Sequence, residues 1–413
     1  MTVSGPLAGV RVVELAGMGP APHAVMLLAD MGADVVRVDR IGDVVTVEDL
    51  DRPPRDVYTR GRRSIAVDLK SDQGRAVVLE LVERADILIE GFRPGVLERL
   101  GLGPEACHAC NERLVIGRVT GWGQTGPYSA MAGHDVNYIA LAGALHGIGS
   151  PDRPPSPPLN YVGDFGGGSM LLAFGVLCAL VEAQRSGHGQ VVDAAMVDGA
   201  AILGAALYGQ LAQGKWSSAR GTNFLDGSAP HYGTYRCADS RFISLAPLEP
   251  QFYAQLRQHL GLSDSLWDDP DDRPNWPQRK AILEELIAER TQDEWCALLD
   301  GTDVCFAPVL PIDEAHLHPH NAARGTFTEV DGVLQPAPAP RLSRTPGALG
   351  RPSPHVGQHT VEILDELGHT PEQIATLAGT GAVAAPASVP DLSVAVGART
   401  DDHRLPTSLE ALR

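Results

Sequence analysis

His134 and Asp135 stand together in a glycine-flanked segment, and Asp164 lies further on, just ahead of Gly166-Gly167-Gly168 and a long apolar stretch. Imidazole and carboxyl groups are the side chains that most readily move protons near neutral pH. A run of glycines lets backbone approach a ligand closely, and N–H groups at a helix end can stabilise an oxyanion. Together these groups suit abstraction of a proton next to a carbonyl, with the base taking the proton while the donors hold the enolate oxygen. On spacing alone, a loop histidine and a helix-capping aspartate fit the same strings.

Such groups need a scaffold, and the first 120 residues supply one in pattern. Val10–Leu15, Asp34–Val38, Ser64–Leu69, Asp86–Glu90 and Leu114–Thr120 read as strands, and Pro22–Met31 as a helix. Ser71 caps another helix that runs to Glu83, with Asp72 favourable in its first turn. Strands separated by helices imply βαβ units, so the fold class is α/β with a Rossmann-like parallel sheet. Ligands then bind beyond the carboxyl ends of the strands. Those ends carry Ala16–His23, Asp39–Arg40, Gly91–Gly95 and Gly121–Pro127. Apolar helices are expected over Ser169–Gln184 and Val191–Gln213.

The texture changes near residue 225. Thr234–Cys237 and Phe242–Ala246 flank Asp239-Ser240 as a hairpin, Pro250–Leu260 and Trp276–Ala288 read as helices, and Thr291-x-x-Glu294 is a capping box. The expected division is a large unit over 1–190, a linking helical region over 191–224, a smaller α+β unit over 225–316, and a return to the large unit over 317–383. The proline-rich stretch 335–358 reads as a surface strap, and Thr370-x-x-Gln373 starts a last short helix. The Ala/Pro/Ser/Asp-rich tail 384–413 has little to bury and is expected to be disordered.

Composition narrows the partners. With 33 basic and 51 acidic residues the net charge is −18, which leaves no basic excess for non-specific nucleic-acid binding. The wholly apolar runs stop short of the ~18 residues of a membrane span, and no basic stretch precedes an apolar signal core. A cytoplasmic protein with no membrane partner is therefore expected. Six cysteines are too few for a disulfide framework, and Cys107-x-x-Cys110 has no second pair to build a zinc site.

Two other strings look like sites. Gly17-x-Gly19-x-x-Pro22, with Asp39 further on, imitates a dinucleotide fingerprint, but proline replaces its third glycine. His316, His318 and His320 near Asp313 and Glu314, and His355-x-x-x-His359, imitate metal clusters without a HExxH pattern or a cysteine partner. Neither is taken as a site.

As whole strings, GPLAGVRVVELAGMGPAPHA, ADILIEGFRPGVLERLGLGPE, GRVTGWGQTGP, GHDVNYIALAG, VGDFGGGSM and GQVVDAAMVDG resemble the family III CoA-transferase superfamily and, within it, the α-methylacyl-CoA racemases. The resemblance runs in order over residues 5–370. It implies that His134 and Asp164 are two catalytic bases for a 1,1-proton transfer on a 2-methylacyl-CoA thioester, with Glu249 of the EPQFY string paired to the imidazole. One base removes the α-proton from one face, and the conjugate acid of the other returns a proton to the opposite face. The Gly166–Gly168 helix entrance and the Asp164 N–H are the expected enolate donors.

The resemblance further implies that Arg40, Lys70, Arg93 and Arg99 meet the CoA moiety. Arginine offers bidentate phosphate contacts and lysine a point charge. No cofactor or metal is expected, since CoA is part of the substrate. The implied assembly is an interlocked homodimer in which Glu249 reaches His134 across the subunits. The rival reading is a CoA-transferase with Asp164 as nucleophile. Against it stand His134, which a transferase does not need, and Asn223–Tyr232, which holds one glycine where transferases commonly carry a glycine-rich loop. A CoA-binding protein without turnover would need none of the three acid–base residues.

Overall fold

Alternating burial along the first strands sets the architecture. In the computed structural model, which describes residues 5–386 apart from Pro53, β1 (Arg11–Leu15) turns Val12 to one face and Val13 to the other, and both are buried. The strands β2 (Asp34–Asp39), β3 (Arg62–Val67), β4 (Ile87–Glu90), β5 (Val115–Thr120) and β6 (Val191–Ala195) lie parallel to it. The spatial order is β3-β2-β1-β4-β5-β6, and the chain crosses over between β1 and β4, where a doubly wound sheet opens a crevice. One face is covered by α1 (Pro20–Asp30) through Ala24, Val25 and Leu28. The other is covered by α2 (Asp72–Glu83) through Val77, Val78, Leu81 and Val82.

Short helices α3 (Val96–Arg99) and α4 (Pro104–Cys110) lead from β4 to β5, and α5 (Asp135–Leu141) follows the loop after β5. A π-helical turn, Tyr161–Ser169, then runs without a break into α6 (Met170–Ser186). The helix expected from Ser169 therefore begins at Tyr161. Its 26 residues are long and apolar enough to cross a membrane by length and composition, yet Leu172, Val176, Ala179 and Ala183 pack one side of it onto the sheet.

The apolar stretch expected as one helix over Val191–Gln213 is instead strand β6 followed by α7 (Met196–Leu203) and α8 (Ala205–Ala212). Periodicity cannot separate a short buried strand from a buried helix, and here pairing with β5 decides, Val119 lying opposite Ala194.

The expected hairpin is present as β7 (Gly233–Arg236) and β8 (Phe242–Leu245), and β9 joins them antiparallel over Phe306–Val309. The helices α9 (Pro250–Leu260), α10 (Trp276–Ile287) and α11 (Gln292–Leu299) pack on this sheet. They enclose a separate core of Tyr235, Ile243, Leu256, Leu283 and Trp295. The Thr291 hydroxyl and the Glu294 carboxylate form the capping box that opens α11. After α12 (Pro319–Arg324), β10 (Phe327–Val330) and β11 (Val333–Pro336) make a second hairpin, so the proline-rich strap starts from ordered structure. Helices α13 (Thr360–Leu367) and α14 (Pro371–Gly379) follow, and β12 (Val383–Ala384) pairs antiparallel with β3. Ala384 thus belongs to the large sheet, and the expected disordered tail from residue 387 lies outside the described residues.

Candidate active site

The loop leaving β5 delivers His134 through one aromatic side chain. A methyl group at Gly121 would overlap the Tyr138 ring, so the GWG string is needed for close approach. The Tyr138 hydroxyl donates to the Gly133 carbonyl, and its ring meets Trp122 edge-on at 4.8 Å. His134 then serves as the N-cap residue of α5, its N–H donating to the Asn137 side chain at 3.0 Å. With the main chain fixed in this way, His134 stands exposed at the start of α5.

Asp164 sits in the π-helical turn, a rare geometry that is frequent at functional sites. Two elements besides its own meet it. From α5, the Asp135 carboxylate accepts the Asp164 N–H through Oδ2 at 2.7 Å. From the start of α1 comes Gly19, at φ 68°, where an added methyl would lie 3.6 Å from Asp164 Oδ2. Asn160 donates to the same oxygen at 3.3 Å. Burial holds the Asp164 carboxyl above its ordinary range. The Asn160 hydrogen bond opposes this, the Asp135 charge adds to it, and the nearby His134 pulls the other way. Through Asp135, its neighbour in the chain, His134 is thus brought to the same site as Asp164.

The three glycines do something other than expected. Gly166, Gly167 and Gly168 lie inside the helix, and Gly167 and Gly168 are buried. A methyl on Gly167 would come within 2.6 Å of the Ala200 nitrogen in α7, and one on Gly168 within 2.8 Å of the Met196 side chain. Their role is close helix packing. The Asp164 N–H is also engaged, by Asp135, so the expected enolate donors are not free. The first-turn N–H groups of α5, at Asp135 and Val136, have no acceptor within their helix.

Phe165, next to Asp164, packs against His23 at 4.8 Å and Tyr58 at 5.8 Å. His23 Nδ1 lies 2.6 Å from the Ser169 hydroxyl. Burial, with Arg60 and Arg62 nearby, pushes the His23 imidazole below its ordinary pKa, which favours the neutral ring. Nothing in sequence spacing marked this aromatic cluster. Asp135 was visible in the GHD string, but its hydrogen bond to Asp164 depends on a contact that sequence does not encode locally.

The basic residues follow the strand ends. Arg40 comes directly after β2, Lys70 after β3, and Arg93 in the loop after β4, and all three are exposed. Arg93 is near enough for its charge to bear on Tyr138 beneath the site. Arg99, in the last turn of α3, folds over Gly95, where an added methyl would lie 3.2 Å from its guanidinium. Glu249 stands apart. It is the exposed N-cap residue of α9 beside the three-stranded sheet, and the titratable group its charge bears on is Cys305.

The two imitation sites are spent on structure. The Asp39 carboxylate accepts from Arg37 at 2.8 Å and from Ser64 at 2.6 Å, so it is not open to a ribose. His359 accepts the Ser64 N–H, and Glu314 is paired with Arg241.

The model of CoA-transferase family III matches residues 7–360. The α-methylacyl-CoA racemase of Mus musculus is 45% identical over 90% of this chain and 96% of its own, and that of Homo sapiens 44% over 89% and 95%. The succinyl-CoA–D-citramalate CoA-transferase of Chloroflexus aurantiacus is 33% identical over 90% of this chain and 96% of its own. Among solved structures, a CAIB/BAIF family protein from Brucella suis superimposes with a TM-score of 0.76 at 28% identity, covering 88% of this chain and all of that one. A parallel sheet ending in a histidine–aspartate pair thus occurs in a chain that, over most of its length, belongs to CoA-transferase family III.

Proposed function

We infer that the chain is an isomerase that interconverts (R)- and (S)-2-methylacyl-CoA thioesters by two-base proton transfer through an enolate. The observation that carries the reading is that α5, which opens at His134, is tied to Asp164 through the Asp135 carboxylate at the carboxyl edge of the sheet. His134 is an imidazole open to solvent. Asp164 is a carboxyl whose pKa burial moves toward neutrality, as a group needs if it is to act alternately as base and acid. The likeness to the two mammalian racemases supports the same assignment. A simple transferase needs only the carboxylate.

In the proposed mechanism one base takes the α-proton as the thioester carbonyl becomes an enolate, and the first-turn amides of α5 face the developing oxygen. The other group, protonated, returns a proton to the opposite face. No cofactor takes part, because CoA arrives with the substrate. Arg40, Lys70, Arg93 and Arg99 bind its anionic groups at the ends of β2, β3 and β4. Replacing Arg40 or Arg93 by Ala is expected to raise KM for the acyl-CoA about 10- to 100-fold with kcat little changed, the loss of one charge-assisted hydrogen bond. An unchanged KM in both variants would remove them from the CoA site.

Glu249 pairs with His134 only if it comes from a second copy. We place it there, in an interlocked homodimer built from a large unit (1–190 with 317–383) and a small unit (225–316). Apolar surface supports this assembly: Tyr161, Phe174, Ile202, Leu203 and Tyr208 along the π-helical turn, α6, α7 and α8 are all more than half exposed in the single chain. The net charge of −18 keeps nucleic acid off the partner set. We assign the protein to the cytoplasm, with no membrane partner.

The deciding experiment incubates the protein with one enantiomer of a 2-methylacyl-CoA in D₂O and follows mass and chirality together. Deuterium at the α-carbon with loss of chirality is the expected result. CoA transfer to an added carboxylic acid, without either change, would make Asp164 a nucleophile and the chain a transferase.

A further inference from the structure

Asp135 is a buried carboxylate that the two-base mechanism does not use. Only 6% of its surface is exposed. Oδ2 accepts the Asp164 N–H, and Oδ1, equally buried, has no donor among the described residues. The space it occupies depends on Gly163, where an added methyl would lie 2.5 Å from Asp135 Oδ2. A charge held this way, against one neutral amide and with no cation in contact among the described residues, is costly in a protein interior. Simple packing would be better served by an apolar side chain.

We propose that Asp135 is a positioning residue for the proton transfer: its carboxylate ties the first turn of α5, which begins at His134, to the π-helical turn that carries Asp164. The proposal rests on the two-base reading above. The tie does two things. It fixes the separation and orientation of the two bases, which follow each other only across a long loop. It also leaves an uncompensated negative charge next to Asp164. Burial raises the Asp164 carboxyl first and the Asp135 charge adds to that, against the Asn160 hydrogen bond and His134. The Asp164 charge in turn raises the hydroxyls of Tyr138 on α5 and Tyr58 on the turn Val57–Thr59, both of which burial raises first. Neither supplies a second buried carboxylate.

Two substitutions separate the two effects. In Asp135→Asn the amide oxygen still accepts from the Asp164 N–H, while the charge is gone. The fold and KM should be kept, kcat should stay within about tenfold of the parent, since the geometry is retained, and the low-pH limb of kcat/KM should move to lower pH. In Asp135→Ala the tie is lost, and kcat should fall about 10²-fold with KM little changed, the cost of misplacing a base by an ångström or so. A merely structural residue would move neither the limb nor the difference between the two variants. An unmoved limb in Asp135→Asn, or a parental kcat in Asp135→Ala, would overturn the proposal. If Asp135→Ala does not fold, the limb in Asp135→Asn decides alone. Asp164→Asn, assayed alongside, keeps the two readings apart: racemisation surviving in that variant sinks the two-base mechanism, whatever Asp135 does.

Discussion

Replacing His134 by Ala is expected to abolish interconversion of the enantiomers, by about 10²- to 10⁴-fold, while one enantiomer continues to exchange its α-proton with D₂O. Inversion needs both groups, so the two directions must fail together; their kcat/KM ratio is set by the reaction's equilibrium constant. Exchange without inversion needs only one base. In His134→Ala the enantiomer whose α-proton faces Asp164 should still exchange, and its mirror form should not. Asp164→Asn, whose amide cannot take the proton, should give the opposite pattern.

In the parent protein the low-pH limb of kcat/KM should sit above the ordinary aspartate range of about 3.9, because burial raises Asp164. As pH falls through that raised value the carboxylate becomes protonated, and the pair can no longer hold one proton between its two members. Both variants losing exchange with both enantiomers to the same extent would count against two separate bases. CoA transfer that survives in His134→Ala and vanishes in Asp164→Asn would put the nucleophile in place of the base.

The sequence carried the scaffold further than the site. Strands β1 to β5 were legible because short apolar runs alternate with helices opened by Ser71 or by prolines, and these are local signals. Strand β6 was not, because Val191–Ala195 runs on into the equally apolar Met196–Leu203, and only pairing with β5 separates them. β12 and the hairpin of β10 and β11 were also missed. Two-residue β12 is fixed by β3, more than three hundred residues earlier in the chain, which no local pattern reports.

Within the candidate site, His134 and Asp164 stood out in their strings as candidates, but the packing of the glycines did not. Three in a row fit a ligand cradle as well as a packing seam, and the choice is made by α7, where an added methyl on Gly199 would overlap the Gly167 carbonyl. Arg40, Lys70 and Arg93 sit where the strand order places them.

Arg62→Met is the substitution expected to cost most in stability, about 3–5 kcal/mol, seen as a lower midpoint of thermal unfolding. Arg62 and Glu14 are both fully buried, with Arg62 Nε 2.5 Å from Glu14 Oε2, and removing Arg62 leaves the Glu14 charge largely stranded, with only the more distant Arg37 at 3.6 Å. The same guanidinium also donates to the carbonyls of Pro22, Tyr58 and Arg60. Pro22 lies in the first turn of α1, between Gly19 and His23, and Tyr58 packs on Phe165, so this pair holds two of the elements that surround Asp164. Stability and activity should therefore separate in the double variant Glu14→Leu/Arg62→Met. Removing both charges should recover much of the lost stability, as buried pairs replaced by apolar residues often do, while Arg37 keeps Asp39 as its partner at 2.8 Å. It should not recover kcat, because the Pro22 and Tyr58 carbonyls still lack their donor. A double variant as unstable as Arg62→Met would show that the carbonyl contacts, not the stranded charge, carry the stability; one with parental kcat would disconnect the pair from the site.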